Sequence, residues 1–196
     1  MKKIVVDLDG SDSLARNLIA GAIKAINEYN DLYLIIVTSD KNIKESIYDD
    51  YNKDRIEFVY TSSAITNNDN PILSFRDKSD SSLVRGLKIA NDDKDVIGFV
   101  TLGATGAILV SSYLVLGKIS KARPSLASTL LSKNGNPFLI IDSGSNIDCR
   151  PKMLYNFAKM GSIFMEAACN INNPRIALLS NGSEDSKGTD LVKNTN

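Results

Sequence analysis

Four short segments of this sequence collect the residue types that hold and transfer anions, and each follows an apolar run. They are Asp7-Leu8-Asp9-Gly10-Ser11-Asp12, Gly103-Ala104-Thr105-Gly106, Asp142-Ser143-Gly144-Ser145-Asn146-Ile147-Asp148, and Ser180 to Gly188, which contains Lys187. Glycine lets backbone N–H groups come close to a ligand, and a helix starting just behind adds a favourable dipole for negative charge. The Gly103–Gly106 segment has that arrangement. It is not a Walker loop, because no Lys-Ser/Thr follows Gly106, and it lacks the Gly-x-Gly-x-x-Gly spacing of dinucleotide sites. Taken singly, each segment reads more readily as a tight strand-to-helix turn. Four at one edge of a sheet favour an anion site there.

The chemistry open to such a site is bounded by what is missing. The chain has no histidine, so Ser-His-Asp and Cys-His mechanisms are excluded within it. Acid–base work falls to carboxylates, lysine, tyrosine or the substrate itself. Asp7, Asp9, Asp12, Asp142 and Asp148 sit on these segments and have the chemistry to hold magnesium, but helix capping and turn formation are the favoured role, and no metal is expected. Cys149 and Cys169 fit no metal spacing and are expected as reduced thiols; Cys149 has no histidine to activate it. Arg76 and Lys78, with Ser81 and Ser82 behind them, form a further candidate anion contact, although a solvated charged face is the favoured reading of such a pair. Lysine plus arginine balances aspartate plus glutamate at 23 each, so no overall basic field points to nucleic acid.

The elements that must position these loops follow from periodicity. Ile4–Val6 reads as a buried strand. Leu14, Leu18, Ala22 and Ile26, flanked by Ala15, Ile19 and Ile23, mark an amphipathic helix that Asp12 or Ser13 is placed to cap. Strands are expected at Leu32–Val37, Ile56–Tyr60, Val96–Leu102, Pro137–Asp142 and Arg175–Leu179. Helices are expected near Lys41–Tyr48, from about Ser79 with Leu83, Val84, Leu87 and Ala90 on one face, over Thr105–Leu116, and from Pro151 to about Ala168. The last of these carries Leu154, Phe157, Met160 or Gly161, Phe164 and Ala168 as its stripe. Thr61–Pro71 reads as a long polar loop. The uncharged run Val96–Gly117 is long enough to span a bilayer, yet its Gly and Thr centre makes it a buried strand–loop–helix. This alternation predicts a single α/β domain over residues 1–196, a three-layer α/β/α sandwich with a largely parallel sheet and ligands at the carboxyl ends of its strands.

Read in order, the loops resemble those of the PlsX-type phosphate acyltransferase family. The family's opening Asp-Ala-Met-Gly-Gly-Asp corresponds to Asp7–Asp12, its Asp-Ser-Ser to Asp80-Ser81-Ser82, and its Ser-Ala-Gly-Asn-Thr-Gly-Ala to Thr101–Ala107. Its Arg-Pro-x-Leu-Ala corresponds to Arg123–Ala127. The most specific match is Leu-Asp-x-Gly-Ala-Asn-x-Asp-Cys-Lys-Pro, standing here as Ile141–Pro151. Phe157–Gly161, Asn173-Pro174-Arg175 and Glu184-Asp185-Ser186-Lys187-Gly188 follow in register.

The resemblance implies an isocitrate dehydrogenase/phosphotransacetylase-like fold and a cytoplasmic homodimer. It implies that inorganic phosphate attacks an acyl carrier protein thioester to give acyl-phosphate for phospholipid synthesis, with no cofactor. Asp142, Asn146 and Lys187 are then the catalytic candidates. Gly10, Asp12, Arg76, Lys78, Ser81, Ser82, Gly103, Thr105, Gly106, Gly144, Asp148 and Gly188 are the substrate-binding candidates. Lys118, Lys121 and Arg123 are candidates to meet the acidic carrier protein. Family members run well past residue 196, and peripheral membrane association is expected through parts beyond it. The chain is therefore expected to be a fragment of a divergent enzyme or a shortened relative.

Three departures bear on activity. Ser11 replaces a glycine, and its Cβ is expected to obstruct a position needing positive φ. Asp9 adds negative charge near an anion. Ala104 replaces an asparagine and removes its donors and acceptor. A relative that binds acyl group, phosphate or carrier protein without turnover, and a phosphotransacetylase acting on short acyl-CoA, are the alternatives.

Overall fold

The computed structural model describes residues 1–119, 122–182 and 187–195. The chain forms two compact units, Met1–Gly117 and Lys118–Asn196.

The first unit is built on a four-stranded parallel sheet in the order β3-β2-β1-β4, with β1 Lys2–Asp7, β2 Leu32–Thr38, β3 Ile56–Tyr60 and β4 Val96–Thr101. Strand alternation sends Ile4, Val6, Leu34 and Ile36 to one face, where they meet Ile19, Ile23 and Ile26 of helix α1 (Ala15–Glu28). Val5, Ile35 and Val37 line the other face with Ile89 and Ala90 of helix α3 (Ser82–Asp92). Helix α2 (Pro71–Asp77) and helix α4 (Thr105–Leu116) complete this unit. Helices thus cover both faces, giving the three-layer α/β arrangement expected from the alternation. The uncharged run Val96–Gly117 is β4, a turn and α4, and no described helix is long and apolar enough to cross a membrane.

The second unit holds an antiparallel hairpin, β5 (Ala127–Leu131) and β6 (Pro137–Ile141), then helix α5 (Pro151–Cys169) and the short helix α6 (Asp190–Lys193). Pro151 occupies the first turn of α5, where its missing N–H costs nothing. Phe157, Gly161 and Met165 form the buried line of α5.

Several local expectations are corrected. Arg175–Leu179 carries no ladder and is not a strand; its apolar residues line a cleft instead. A strand needs a paired neighbour, and the described sheet of this unit has two members, β5 and β6. Phe164 is exposed, so the stripe of α5 turns toward Met165. The segment read as a helix at Lys41–Tyr48 is a single 3₁₀ turn, Ile43–Ser46. α2 extends from the polar stretch read as loop because Asn70 caps it, accepting the N–H groups of Ile72 and Leu73, and Pro71 follows at the first position. α1 has neither Asp12 nor Ser13 as its cap. Leu14 stands at that position, Asp12 accepts from Asn67 Nδ2 (3.0 Å), and the Ser13 N–H goes to Ser11 Oγ (3.0 Å).

Candidate functional site

Parallel pairing places Asp7, Thr38, Tyr60 and Thr101 at one edge of the first sheet, with Asp7 level with Val37 on one side and Thr101 on the other. The strand order changes direction between β1 and β4, so the crevice of an open α/β sheet belongs there. Three loops meet at this point. Gly10, at φ +72°, lies so close to the loop after β3 that a Cβ would collide with the Ile65 carbonyl oxygen, and it would stand 3.6 Å from the Cα of Gly103. Gly103 packs in turn on the end of β4 and the loop after β1: a Cβ there would lie 3.2 Å from Thr101 Oγ1 and 3.5 Å from the Asp9 carbonyl oxygen. Gly10→Ala is therefore expected to cost about 2 kcal/mol, combining left-handed backbone strain with displacement of the Ile65 peptide. Urea unfolding of this variant against wild type measures the loss.

Ser11 is not at a positive φ, so the obstruction expected of it does not arise; Gly10 takes that conformation. Asp9 is turned away into the edge. Its carboxylate accepts Thr38 Oγ1 at 2.8 Å and the Ser39 N–H at 2.6 Å, tying the β1 loop to the end of β2. Among the described residues no cluster of potential ligands is arranged for a metal.

Beneath these loops lies Asp7, 2% exposed. Its Oδ1 accepts the Asp9 N–H (3.1 Å) and its Oδ2 accepts Thr101 Oγ1 (2.9 Å). Thr101 Oγ1 itself accepts the Gly103 N–H at 3.0 Å. Burial pushes the Asp7 carboxyl up to about 6, against the opposing pull of hydrogen bonds from Ser82, Asp9 and Thr101.

The Asp80-Ser81-Ser82 motif stitches rather than presents. Ser81 is fully buried and caps α3 by accepting the Val84 N–H (3.4 Å). Ser82 is buried and donates its N–H to the Ser63 carbonyl (3.2 Å), while Asp80 accepts the Ser62 N–H (3.0 Å).

The basic pair upstream is engaged. Lys78 Nζ donates to both oxygens of Asp69 (2.8 and 2.9 Å) and to the Ala64 carbonyl (2.9 Å). Hydrogen bonds from Lys78 and Thr66 hold the Asp69 carboxyl at about 2. Arg76 is exposed and pairs with Asp77 at 2.9 Å.

At the end of β4, Thr105 and Gly106 are exposed in the first turn of α4. Ala104 stands at the capping position with no side-chain acceptor. The departure at Ala104 thus has a structural consequence as well as a chemical one: the helix start lacks its cap. Ala104→Ser is expected to raise stability by about 1 kcal/mol, read as a higher urea midpoint at unchanged slope.

In the second unit, Asp142 and Asn146 form a compact knot. Asp142 Oδ1 accepts the Leu126 N–H (2.7 Å) and Ser145 Oγ (2.5 Å); Oδ2 accepts the Asn146 N–H (2.7 Å) and Nδ2 (3.2 Å). Asn146 Nδ2 also donates to the Pro124 carbonyl (3.0 Å). Burial pushes this carboxyl up, but the bonds from Ser145, Leu126 and Asn146 prevail and leave it below its ordinary value.

Gly144, Asp148 and Lys187 are exposed, as are Lys118 and Arg123; Gly188 lies half-buried against Ser180 and Val192. Lys121 and Glu184-Asp185-Ser186 lie outside the described residues. A cleft of 1490 Å³ runs between β6, α5 and the 171–181 segment, lined by Leu139, Ile141, Leu154, Met165, Ile176 and Leu178, with Asp142, Asn146 and Gly188 also on its wall.

The structure brings together Gly10, Gly103, Ser82 and Asp7 in one unit, and Asp142, Asn146, Ser145 and Leu126 in the other. Sequence reasoning missed Thr101, Thr38 and Asp69 as partners. Only the position of Thr101 at a strand end beside a glycine signalled it.

Comparison with known proteins shows the family and the fold. A match to a family described as fatty acid synthesis protein runs over residues 2–196. The phosphate acyltransferase of Clostridium tetani (strain Massachusetts / E88) is 39% identical over 193 residues, covering 97% of this chain and 57% of that protein. Those of Clostridium novyi (strain NT) and Ligilactobacillus salivarius (strain UCC118) are 40% and 41% identical, over 97% and 98% of this chain and 58% and 57% of theirs. The chain thus spans somewhat over half the length of the curated relatives it matches. Among solved structures, a branched-chain phosphotransacylase from Enterococcus faecalis V583 superposes with a TM-score of 0.53 at 14% identity, covering 85% of this chain and 51% of that one; this likeness is one of fold.

Proposed function

The chain belongs to the fatty acid synthesis protein family, and from that premise we propose that it serves as a phosphate acyltransferase. Inorganic phosphate attacks the thioester carbonyl of an acyl-[acyl carrier protein]. A P–O–C bond forms through a tetrahedral oxyanion, the C–S bond breaks, and the carrier thiolate leaves and takes up a proton. Phosphate is its own nucleophile, so a chain without histidine can support the reaction. What the protein must supply is an anion cradle and donors for the oxyanion.

The observation that carries this reading is the convergence of Gly10, the Ile65 peptide and Gly103 at the β1/β4 edge, beside the first turn of α4. Gly10, Gly103, Thr105 and Gly106 are the residues proposed to approach phosphate. Ser81, Ser82 and Lys78 support those loops from below, because their polar groups are already bonded within the protein. Asp142 and Asn146 act by holding segment 124–126. Lys187 is the proposed cation for developing negative charge, and Lys118 and Arg123 the proposed contacts for an acidic carrier protein. The protein is proposed to act as a cytoplasmic homodimer.

The direct test incubates the purified protein with acyl-[acyl carrier protein] and phosphate and traps acyl-phosphate as the hydroxamate. Product formation supports the reading. Absence of product at substrate levels that saturate the Clostridium tetani relative overturns it.

A further inference from the structure

We propose that Asp7 is the positioning residue of the β1/β4 edge, acting through Thr101 to fix the Gly103 N–H. Its role in transfer rests on the function proposed above; the relay itself rests on the geometry alone. The chain of bonds is continuous: the Gly103 N–H donates to Thr101 Oγ1, and the Thr101 hydroxyl donates to Asp7 Oδ2. Thr101 has one hydroxyl proton. While Asp7 is ionised it only accepts, so that proton is committed to Asp7 and the lone pairs of Thr101 face Gly103. A protonated Asp7 has an O–H to place and competes for the lone pairs of Thr101. Thr101 Oγ1 then accepts from both, its own hydroxyl proton swings away from Asp7, and the Gly103 N–H shares the oxygen with a second donor, which loosens the restraint on the Gly103–Gly106 loop where it crosses the β1 loop.

The surroundings make this group responsive. Asp9, on the same loop, is the charged residue acting on Asp7, and its effect opposes ionisation. The other elements around Asp7 present uncharged groups: Val37 and Thr38 from β2, Thr101 from β4 and Ser82 from the start of α3. Among the described residues no cation acts on its titration, and the hydrogen bonds are what oppose the cost of burying the charge.

The test follows amide resonances of the isotope-labelled protein from about pH 4.5 to about pH 8, across the range where a raised carboxyl titrates. In the wild type the Asp9 and Gly103 amides are expected to shift together, with one midpoint near 6. In Thr101→Val the Asp9 amide still titrates and the Gly103 amide does not; Thr101→Ser restores it; Asp7→Asn flattens both. A Gly103 amide that stays flat in the wild type while Asp9 titrates overturns the relay, as does one that titrates unchanged in Thr101→Val.

Calorimetry with inorganic phosphate at one fixed pH reads the role in transfer. Weakening of several-fold in Thr101→Val, with recovery in Thr101→Ser, supports it, and equal affinities overturn it. Absence of phosphate binding in all three proteins, with the titration intact, overturns the functional reading and not the relay.

Discussion

Replacing Asp142 by alanine is expected to destabilise the second unit by roughly 3 kcal/mol, a large share of the stability of a typical domain. The side chain is a hub and not an exposed acid. Four hydrogen bonds end on its two oxygens, two of them from the backbone N–H groups of Leu126 and Asn146. Bonds to a charged acceptor are worth about 1.5–3 kcal/mol each, and losing the acceptor leaves the Asn146 N–H without its partner and the Leu126 N–H with only the longer bond to Ser145 Oγ (3.2 Å). Water access to this partly exposed loop recovers some of the loss. Asp142→Asn is expected to cost less, because its carbonyl still serves one side while its amide faces a donor on the other. The sign with pH follows. Asp142 sits below its ordinary value when folded, so its contribution is present above the unfolded value and lost as pH falls through the folded one. Wild type and Asp142→Ala therefore converge in acid. Urea melts followed by the amides of Leu126 and Thr129 measure this; equal midpoints near neutral pH would mean that the knot is ornamental.

The same knot shows what a sequence reveals. The run Ile141–Pro151 announces a strand ending in a loop that starts a helix, and the structure has β6, the loop and α5 there. The sequence does not disclose that Asp142 faces Leu126 across the β5–β6 pairing, because that contact is set by the register of a hairpin whose first strand was not foreseen. Ala127-Ser128-Thr129-Leu130-Leu131 has no polar–apolar alternation to mark β5, and no residue of either strand is fully buried. In the first unit, the layers and the parallel sheet follow from periodicity because buried parallel strands read as apolar runs, whereas the strand order β3-β2-β1-β4 is known only from the structure. The partner of Lys78 did not, since Asp69 lies nine residues back and meets it only because α2 folds the chain between them. The strained position in the first loop is Gly10 and not the next residue, a distinction set by where the Ile65 peptide passes.

Asp7 is visible in the sequence only as the first acid of a motif, yet its expected effect on stability matches that of Asp142. Its folded value is about 6 against an ordinary 3.8. Between these two, the folded state keeps a proton that the unfolded state has released, so stability falls as pH rises, and the loss levels off above about 6. The gap corresponds to about 3 kcal/mol. Asp69 acts with the opposite sign in a different window: held at about 2, it contributes stability above 3.8 that disappears as pH falls from 3.8 toward 2. The windows do not overlap, so the two slopes separate experimentally. Urea melts followed by the amides of Val5 and Ile36 are expected to weaken from about pH 4 to about pH 6 in the wild type and to stay level over that range in Asp7→Asn. A wild-type profile as flat as that of the variant would place the Asp7 carboxyl at its ordinary value and remove the cost. If the slope is found, the protein maintains a buried charge with no cation beside it among the described residues, at a penalty that an uncharged residue would avoid. Its position one hydrogen bond from Thr101 and two from the Gly103 N–H is then the reason such a charge is kept.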